Sequence, residues 1–474
     1  MEDTIVRLES ICIKNFKNVA NGQLSFANPR KNYKASILGL YGQNGSGKTA
    51  LIDAVELLQL ALKGQPIPEK FADYIQVGAE YASLYYVFSV IGESGRYQAF
   101  YELKLRAEKS ETPQNLAAND NEEVHYRAAI TDEILSYSYE GCGEKARKSP
   151  LIDTTSQKVF APAGKYACLI GKDRDAAMDL LVAKKVALGA SRSFVFSREL
   201  LTAMRNNRSG QNPPEYRRHM LLMESLVRYG NYELFVIHTA NSGIISMNML
   251  PLSFRYEDAT MGAVGNLLLP LEDAAPIPQE ALDMAEHVIA NMNVVLEQIV
   301  PGLTIRIETL GEMLFANGKK GVKVQLVSLK NQKAIPLKYE SEGIKKIISI
   351  LQLLIVVYNR SSITVAIDEL DAGVFEYLLG ELLRILSEKG KGQLLFTSHN
   401  LRPLETLDRG FIAFTTTNPQ HRYIRMTNLK ENNNLRDFYY RDIVLGEQSE
   451  VLYDSTDNAE IAFAFREAGE PHDA

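Results

Sequence analysis

Three glycines, a lysine and a threonine share one run, Gly42-Gln43-Asn44-Gly45-Ser46-Gly47-Lys48-Thr49, in the spacing G-x-x-x-x-G-K-[ST]. A loop that turns its backbone N–H groups inward around an anion needs residues that reach positive φ, which glycine supplies. The Lys48 ammonium at the end of such a loop reaches β- and γ-phosphates, and the Thr49 hydroxyl is a ligand for Mg²⁺. The ordinary alternative is a glycine-rich turn followed by a surface lysine. Two later runs speak against it. Asp368 and Glu369 close an apolar, β-branched stretch at 363–367, and His399 closes a second one at 392–398. A carboxylate at the end of a buried strand can hold Mg²⁺, through water for Asp368, and Glu369 can orient or deprotonate an attacking water. The His399 imidazole can hydrogen-bond a γ-phosphate and so distinguish ATP from ADP.

Residues 35–41 form the apolar strand that must deliver the loop, and 49–58 form a helix opening at its end. Strand, loop and helix are the required setting, because the helix N-terminus adds free N–H groups and a positive dipole end. Ser341 and Gly343 precede a strongly apolar helix and would present free N–H groups to an anion as an N-cap. Glu342 between them is unfavourable beside a phosphate unless it turns outward. Residues 6–26 alternate apolar and polar, and further strands are expected at 82–90, 97–105 and 130–139, giving a half-barrel-like antiparallel lobe. Polar residues 108–123 read as a loop. Helices are expected at 174–190, 199–206, 216–229 and 278–299, and strands return at 303–309 and 321–327 around the turn signal Asn317-Gly318. The chain therefore divides into an N-terminal lobe at 1–160, a mainly helical insertion at 161–300, a C-terminal lobe at 301–440 and an acidic tail at 441–474.

The 474 residues suffice for two or three domains' worth of core, with 46% hydrophobic and 23% charged residues. No apolar run reaches the roughly 18 residues of a membrane span, and no secretory signal is visible at the N-terminus. Cys12, Cys142 and Cys168 are isolated, which excludes a zinc hook and suggests a reducing, cytoplasmic setting. The net charge of −6 gives DNA contact no support from whole-chain electrostatics, although a local patch is compatible with it. From Arg441 onward nine acidic residues face two arginines, the composition of a solvated terminus.

Taken together, the phosphate loop, the serine–glycine signature before a helix, the Asp368-Glu369 strand and the strand ending in His399 resemble the ABC-type ATPase head. The expected fold is therefore α/β, a P-loop ATPase head with an antiparallel β lobe. More narrowly the chain is similar to the SMC/Rad50/RecF and OLD-like group, whose opening is matched by Ile13-Lys14-Asn15-Phe16-Lys17-Asn18. The resemblance covers about 1–100 and 300–415. It implies ATP and Mg²⁺ as cofactors, with Ser341 and Gly343 reaching the γ-phosphate on a neighbouring subunit. It also implies Asp371 as a loop residue at that interface and Gln76 as the glutamine between the lobes. The signature departs from the family by reading Ser-Glu-Gly, and the length after His399 does not accommodate a TOPRIM nuclease domain. Within the group the motifs look most like the ATPase subunit of the PARIS anti-phage system, with the Septu ATPase next. That likeness implies a homo-oligomer, a separately encoded nuclease effector and a phage-encoded trigger. The alternative is a DNA-repair ATPase of the RecF/Rad50 kind that clamps DNA.

Overall fold

Strand Ser36–Tyr41 is apolar on both faces, so it can be buried only between two layers. The computed structural model describes residues 4–93, 95–109, 125–141, 143–207, 213–238, 249–257, 262–330, 333–426, 434–446, 448–454 and 456–469. In it, Ser36–Tyr41 runs through the middle of a six-stranded sheet. Gln393–Thr397 lies parallel to it on one side and Ile412–Thr415 on the other. Beyond Gln393–Thr397 come Thr364–Ile367 and then Leu234–Ile237, both parallel, and Tyr423–Ile424 closes the opposite edge antiparallel. The loop of glycines and both acidic residues thus emerge at the same carboxyl edge, where ligands of open α/β sheets gather.

A second six-stranded sheet is wholly antiparallel, in the order Val19–Ser25, Ile5–Phe16, Ala82–Gly92, Gly95–Lys109, Tyr126–Gly141 and Glu144–Asp153. Alternation along Ile5–Phe16 turns Val6, Leu8, Ile11, Ile13 and Phe16 inward. Between the two sheets lies helix Lys48–Leu62, in which every residue but Thr49 is buried. Leu38 and Leu40 join this layer, whereas Ile37 and Tyr41 face the opposite core beneath helix Glu342–Asn359. The α/β architecture with an antiparallel lobe is as the sequence implied.

Polar side chains on so buried a helix need partners. Asp53 is paired with Lys17, Glu56 with Lys70 at 2.9 Å, and Gln59 donates to the Leu234 carbonyl. His238 Nε2 lies 3.3 Å from Glu56 Oε2. Asp53, Glu56 and His238 come close enough to share a cation, with ligand atoms within 4.8 Å of one another, but two lysines already neutralise both acids.

Helices occupy Arg174–Gly189, Arg198–Arg205, Pro214–Arg228 and Gln279–Ile299, within a residue or two of their expected places. The stretch 161–300 also holds strands that its pattern did not disclose, Met249–Glu257, Gly262–Pro270, Ala275–Pro278 and above all Leu234–Ile237. Leu-Phe-Val-Ile is a four-residue apolar run, and periodicity cannot distinguish so short a buried strand from helix. The strands at Leu303–Leu314 and Lys320–Lys330 are antiparallel, with Gly318 at φ 78° in the turn between them. The polar loop expected at 108–123 lies, apart from its first two residues, outside the described residues. Among the described residues no helix is long and apolar enough to cross a membrane.

Candidate nucleotide-binding site

At the C-terminal end of Ser36–Tyr41 the chain enters the loop, and Gly47 closes it as the N-cap of helix Lys48–Leu62 with φ 95°. That left-handed conformation would strain any residue with a Cβ. No side chain caps the helix, so its first N–H groups stay available to an anion. The loop is braced from three directions. Ser46 Oγ donates to the Gln43 carbonyl at 2.6 Å and contacts Thr415 Oγ1 at 2.5 Å, and Tyr423 Oη donates to the Gly47 carbonyl at 2.9 Å.

Lys48 Nζ folds back to donate to the Gly42 carbonyl at 2.8 Å and the Gln43 carbonyl at 3.0 Å. Burial lowers its pKa, against the opposing pull of Asp368, Glu369 and Asp371. A phosphate placed in the loop would replace those carbonyls with stronger, charged acceptors and recover the ammonium's lost solvation.

Thr49 Oγ1 lies 3.5 Å from Asp368 Oδ1, and Thr397 Oγ1 donates to the same oxygen at 2.6 Å. Thr397 Oγ1 also accepts from the Glu369 N–H at 2.8 Å. This contact helps to hold Glu369 at φ 47°, so that Asp368 and Glu369 sit on a sharp turn at the end of Thr364–Ile367. A hydroxyl and a carboxylate oxygen at this separation suit Mg²⁺, a hard cation that takes oxygen ligands. Asp371 Oδ2 accepts from the backbone N–H groups of His399 at 3.1 Å and Asn400 at 2.9 Å, bracing the loop that carries the exposed His399.

These residues surround a cleft of about 540 Å³ that brings together Asn44, Gly45, Gly47, Lys48, Thr49, Asp368, Glu369 and His399. A shallower pocket of about 330 Å³ joins Asn44, Glu369 and His399 to Asp371. A larger groove of about 950 Å³ lies elsewhere, between helices Arg174–Gly189 and Arg198–Arg205, and has neither the loop nor the acids.

Gln76 is not among the residues lining the cleft. Its N–H donates to the Asn15 carbonyl at 3.0 Å, which puts it two residues from the cleft at Lys17. Ser341 and Gly343 are also outside the cleft. Ser341 caps helix Glu342–Asn359 by accepting from the Ile344 N–H at 3.4 Å and is exposed. Glu342 turns outward and pairs with Lys345 at 2.6 Å, which removes the repulsion it would offer a phosphate. Gly343 packs on Gly373, so that a Cβ at 343 would meet the Gly373 carbonyl at 2.5 Å.

Three residues at the site were given no site role from the sequence, although Lys17 and Asn18 stand in the opening run that carried the resemblance. Lys17 and Asn18 line the cleft, and Asn18 donates to the Gly45 carbonyl. Asn15 and Lys17 adopt φ of 54° and 52° where strand Ile5–Phe16 ends. Lys346, buried on the signature helix, donates to the Glu369 carbonyl at 3.3 Å. Burial outweighs the acids Asp371, Glu369 and Asp368 and lowers its pKa to about 8. No pattern in sequence linked it to residues more than 20 positions away.

With this geometry in view, comparison with known proteins finds a match to the AAA domain family AAA_23 over residues 10–167. The domain match includes the phosphate loop, the helix behind it and most of the antiparallel sheet. The DNA replication and repair protein RecF of Deinococcus radiodurans is 37% identical over 73 residues, 15% of this chain. The chain spans only 18% of the length of that relative. Among solved structures the chain is similar to the SMC head domain from Thermotoga maritima, at 14% identity and TM-score 0.36, covering 89% of this chain and 99% of that one. A second similar structure is the Pyrococcus furiosus Smc head domain with an extended coiled coil bound to the C-terminal domain of ScpA. It is 12% identical with TM-score 0.36, covering 89% of this chain and 97% of the other. The matched stretch contains the phosphate loop together with Lys17 and Asn18 of the cleft, while Asp368, Glu369 and His399 lie beyond it.

Proposed function

We propose that the chain is an ATP-binding and hydrolysing switch whose catalytic site is completed by a second copy. One observation carries this reading: the cleft gathers Lys48, Thr49, Asp368, Glu369 and His399, while Ser341 and Gly343 lie outside it at the start of a different helix. A γ-phosphate contact at Ser341 and Gly343 therefore belongs to a neighbouring subunit, and ATP becomes the bond between copies. Thr49 and Asp368 would hold Mg²⁺, which supplies charge neutralisation to the phosphates. Lys48 and the loop amides bind and orient the phosphates, Glu369 accepts a proton from the attacking water, and His399 contacts the γ-phosphate. The test is Glu369→Gln, measured by phosphate release and by light scattering with ATP. Turnover falls and the ATP-bound assembly persists; hydrolysis at the parental rate removes Glu369 from the role of base.

For the setting of this switch, we propose the sensing and scaffolding subunit of an anti-phage system, controlling a separately encoded nuclease in response to a phage protein. Support comes from the likeness of the Glu-Ser-Glu-Gly and Asp-Glu-Leu-Asp-Ala-Gly motifs to the PARIS and Septu ATPases. A neighbouring nuclease gene whose toxicity depends on Lys48 is the expected finding. The identity to RecF over 73 residues favours a second reading, a DNA-repair ATPase. It requires DNA-stimulated hydrolysis, and a rate unaffected by DNA counts against it.

A further inference from the structure

The acidic tail does not behave as a free terminus where it passes the phosphate loop. Between helices Leu435–Leu445 and Asn458–Gly469, Glu450 and Val451 lie against residues 417–421, the turn between Ile412–Thr415 and Tyr423–Ile424. The Thr417 N–H donates to the Val451 carbonyl at 2.8 Å. Glu450 accepts from Asn418 at 3.0 Å and pairs with His421 Nδ1 at 2.6 Å, and these contacts lower its pKa. Leu452 is 2% exposed and enters the core with Phe414 and Tyr439. At the far end the Asp454 N–H donates to the side-chain oxygen of Gln43 at 3.0 Å.

Gln43 is thereby gripped twice. Its side chain is held by the tail, and its carbonyl is held by Ser46 at 2.6 Å and by Lys48 Nζ at 3.0 Å. The Lys48 ammonium has three donors, and an anion entering the loop competes for them with the Gln43 carbonyl. Gln43, which anchors the tail through Asp454, is thus also the residue whose carbonyl shares the Lys48 ammonium with any anion that enters. Arg422 ties the same edge to the cleft. Its guanidinium donates to the Thr416 carbonyl at 2.6 Å and the Asn18 carbonyl at 2.5 Å.

We propose that residues 450–454 form a strap that positions Gln43 and couples the C-terminal tail to nucleotide affinity. This rests on Gly42 to Thr49 being the nucleotide site. Because coupling is reciprocal, anything that pulls the strap changes nucleotide binding, and nucleotide changes the strap. The full-length chain is tested with a fluorescent ATP analogue and by hydrogen exchange across 450–454, with ADP, with ATP and with neither. Two variants separate the elements. Gln43→Ala removes the acceptor, and Leu452→Ser loosens the strap without touching the loop.

Nucleotide is expected to change exchange at the Asp454 amide by about tenfold, and both loosening variants to shift affinity by about fivefold. Affinities within twofold of the parent for both loosening variants, or exchange at 450–454 indifferent to nucleotide, would overturn the strap. Failure of the nucleotide site itself looks different: the parental chain and Lys48→Ala would then bind the analogue equally, whatever the tail does.

Discussion

Thr49 and Asp368 stand 319 positions apart in the chain, yet the threonine hydroxyl lies 3.5 Å from the carboxylate oxygen. Thr397 completes the arrangement by donating to the same Asp368 oxygen at 2.6 Å. If this pair holds Mg²⁺, Thr49→Val and Asp368→Asn should each reduce the gain in nucleotide affinity on adding Mg²⁺ by at least about tenfold. Calorimetric titration of ATP with Mg²⁺ and with a chelator reads the difference. An undiminished gain in both variants would place the metal elsewhere.

Lys48→Ala is expected to abolish binding of a fluorescent ATP analogue. The same change removes the donor to the Gly42 and Gln43 carbonyls in the empty loop, a stability effect of roughly 1 kcal/mol. Circular dichroism melts taken alongside the binding curves separate a folded, non-binding protein from an unfolded one.

Gly343→Ala addresses the signature separately. Its new Cβ would meet the Gly373 carbonyl at 2.5 Å, inside van der Waals contact, and must push the loop after Asp371 away from helix Glu342–Asn359. The expected cost is about 1–3 kcal/mol of stability. Turnover should fall while a single copy still binds nucleotide at Lys48. Full turnover with an unchanged melting temperature would show that this contact yields freely.

Acid should weaken the antiparallel lobe through His219. This fully buried imidazole has Nε2 2.7 Å from Tyr137 Oη, with Lys165, Glu215 and Arg218 around it. Burial first, and then the Lys165 charge, lower its pKa from 6.5 to about 4. A depressed folded pKa means that the unfolded chain binds the proton first. The stability is therefore complete above pH 6.5 and is lost as the pH falls towards 4, by up to about 3 kcal/mol. Urea melts across that window should show the slope in the parent and a shallower one in His219→Gln.

How much of this was legible in the sequence depends on whether the determinants were neighbours. Gly42 to Thr49 announce themselves because the loop's conformational demands fall on adjacent residues. Asp368-Glu369 and His399 were readable for a similar reason, each closing an apolar run. The strand Leu234–Ile237 was not, since four apolar residues carry no period and its partner strand lies 130 positions away. Lys17, Lys346 and the strap escaped because their roles come from what folding places beside them. Lys17 reads as one charge in an alternating stretch, Lys346 as one polar position on a helix, and 450–454 as part of a charged tail.

The central strand has a consequence for synthesis. Ser36–Tyr41 is made early, but both of its parallel neighbours, Gln393–Thr397 and Ile412–Thr415, are made more than 350 residues later. A nascent chain emerging from the ribosome therefore carries its phosphate loop for most of translation on a strand with no sheet to join. Pairings of such sequence separation form slowly. No partly made copy can hold nucleotide in the form described, and competence arrives only after residue 415. If nucleotide joins one copy to another as proposed, assembly waits until residue 415 has been made.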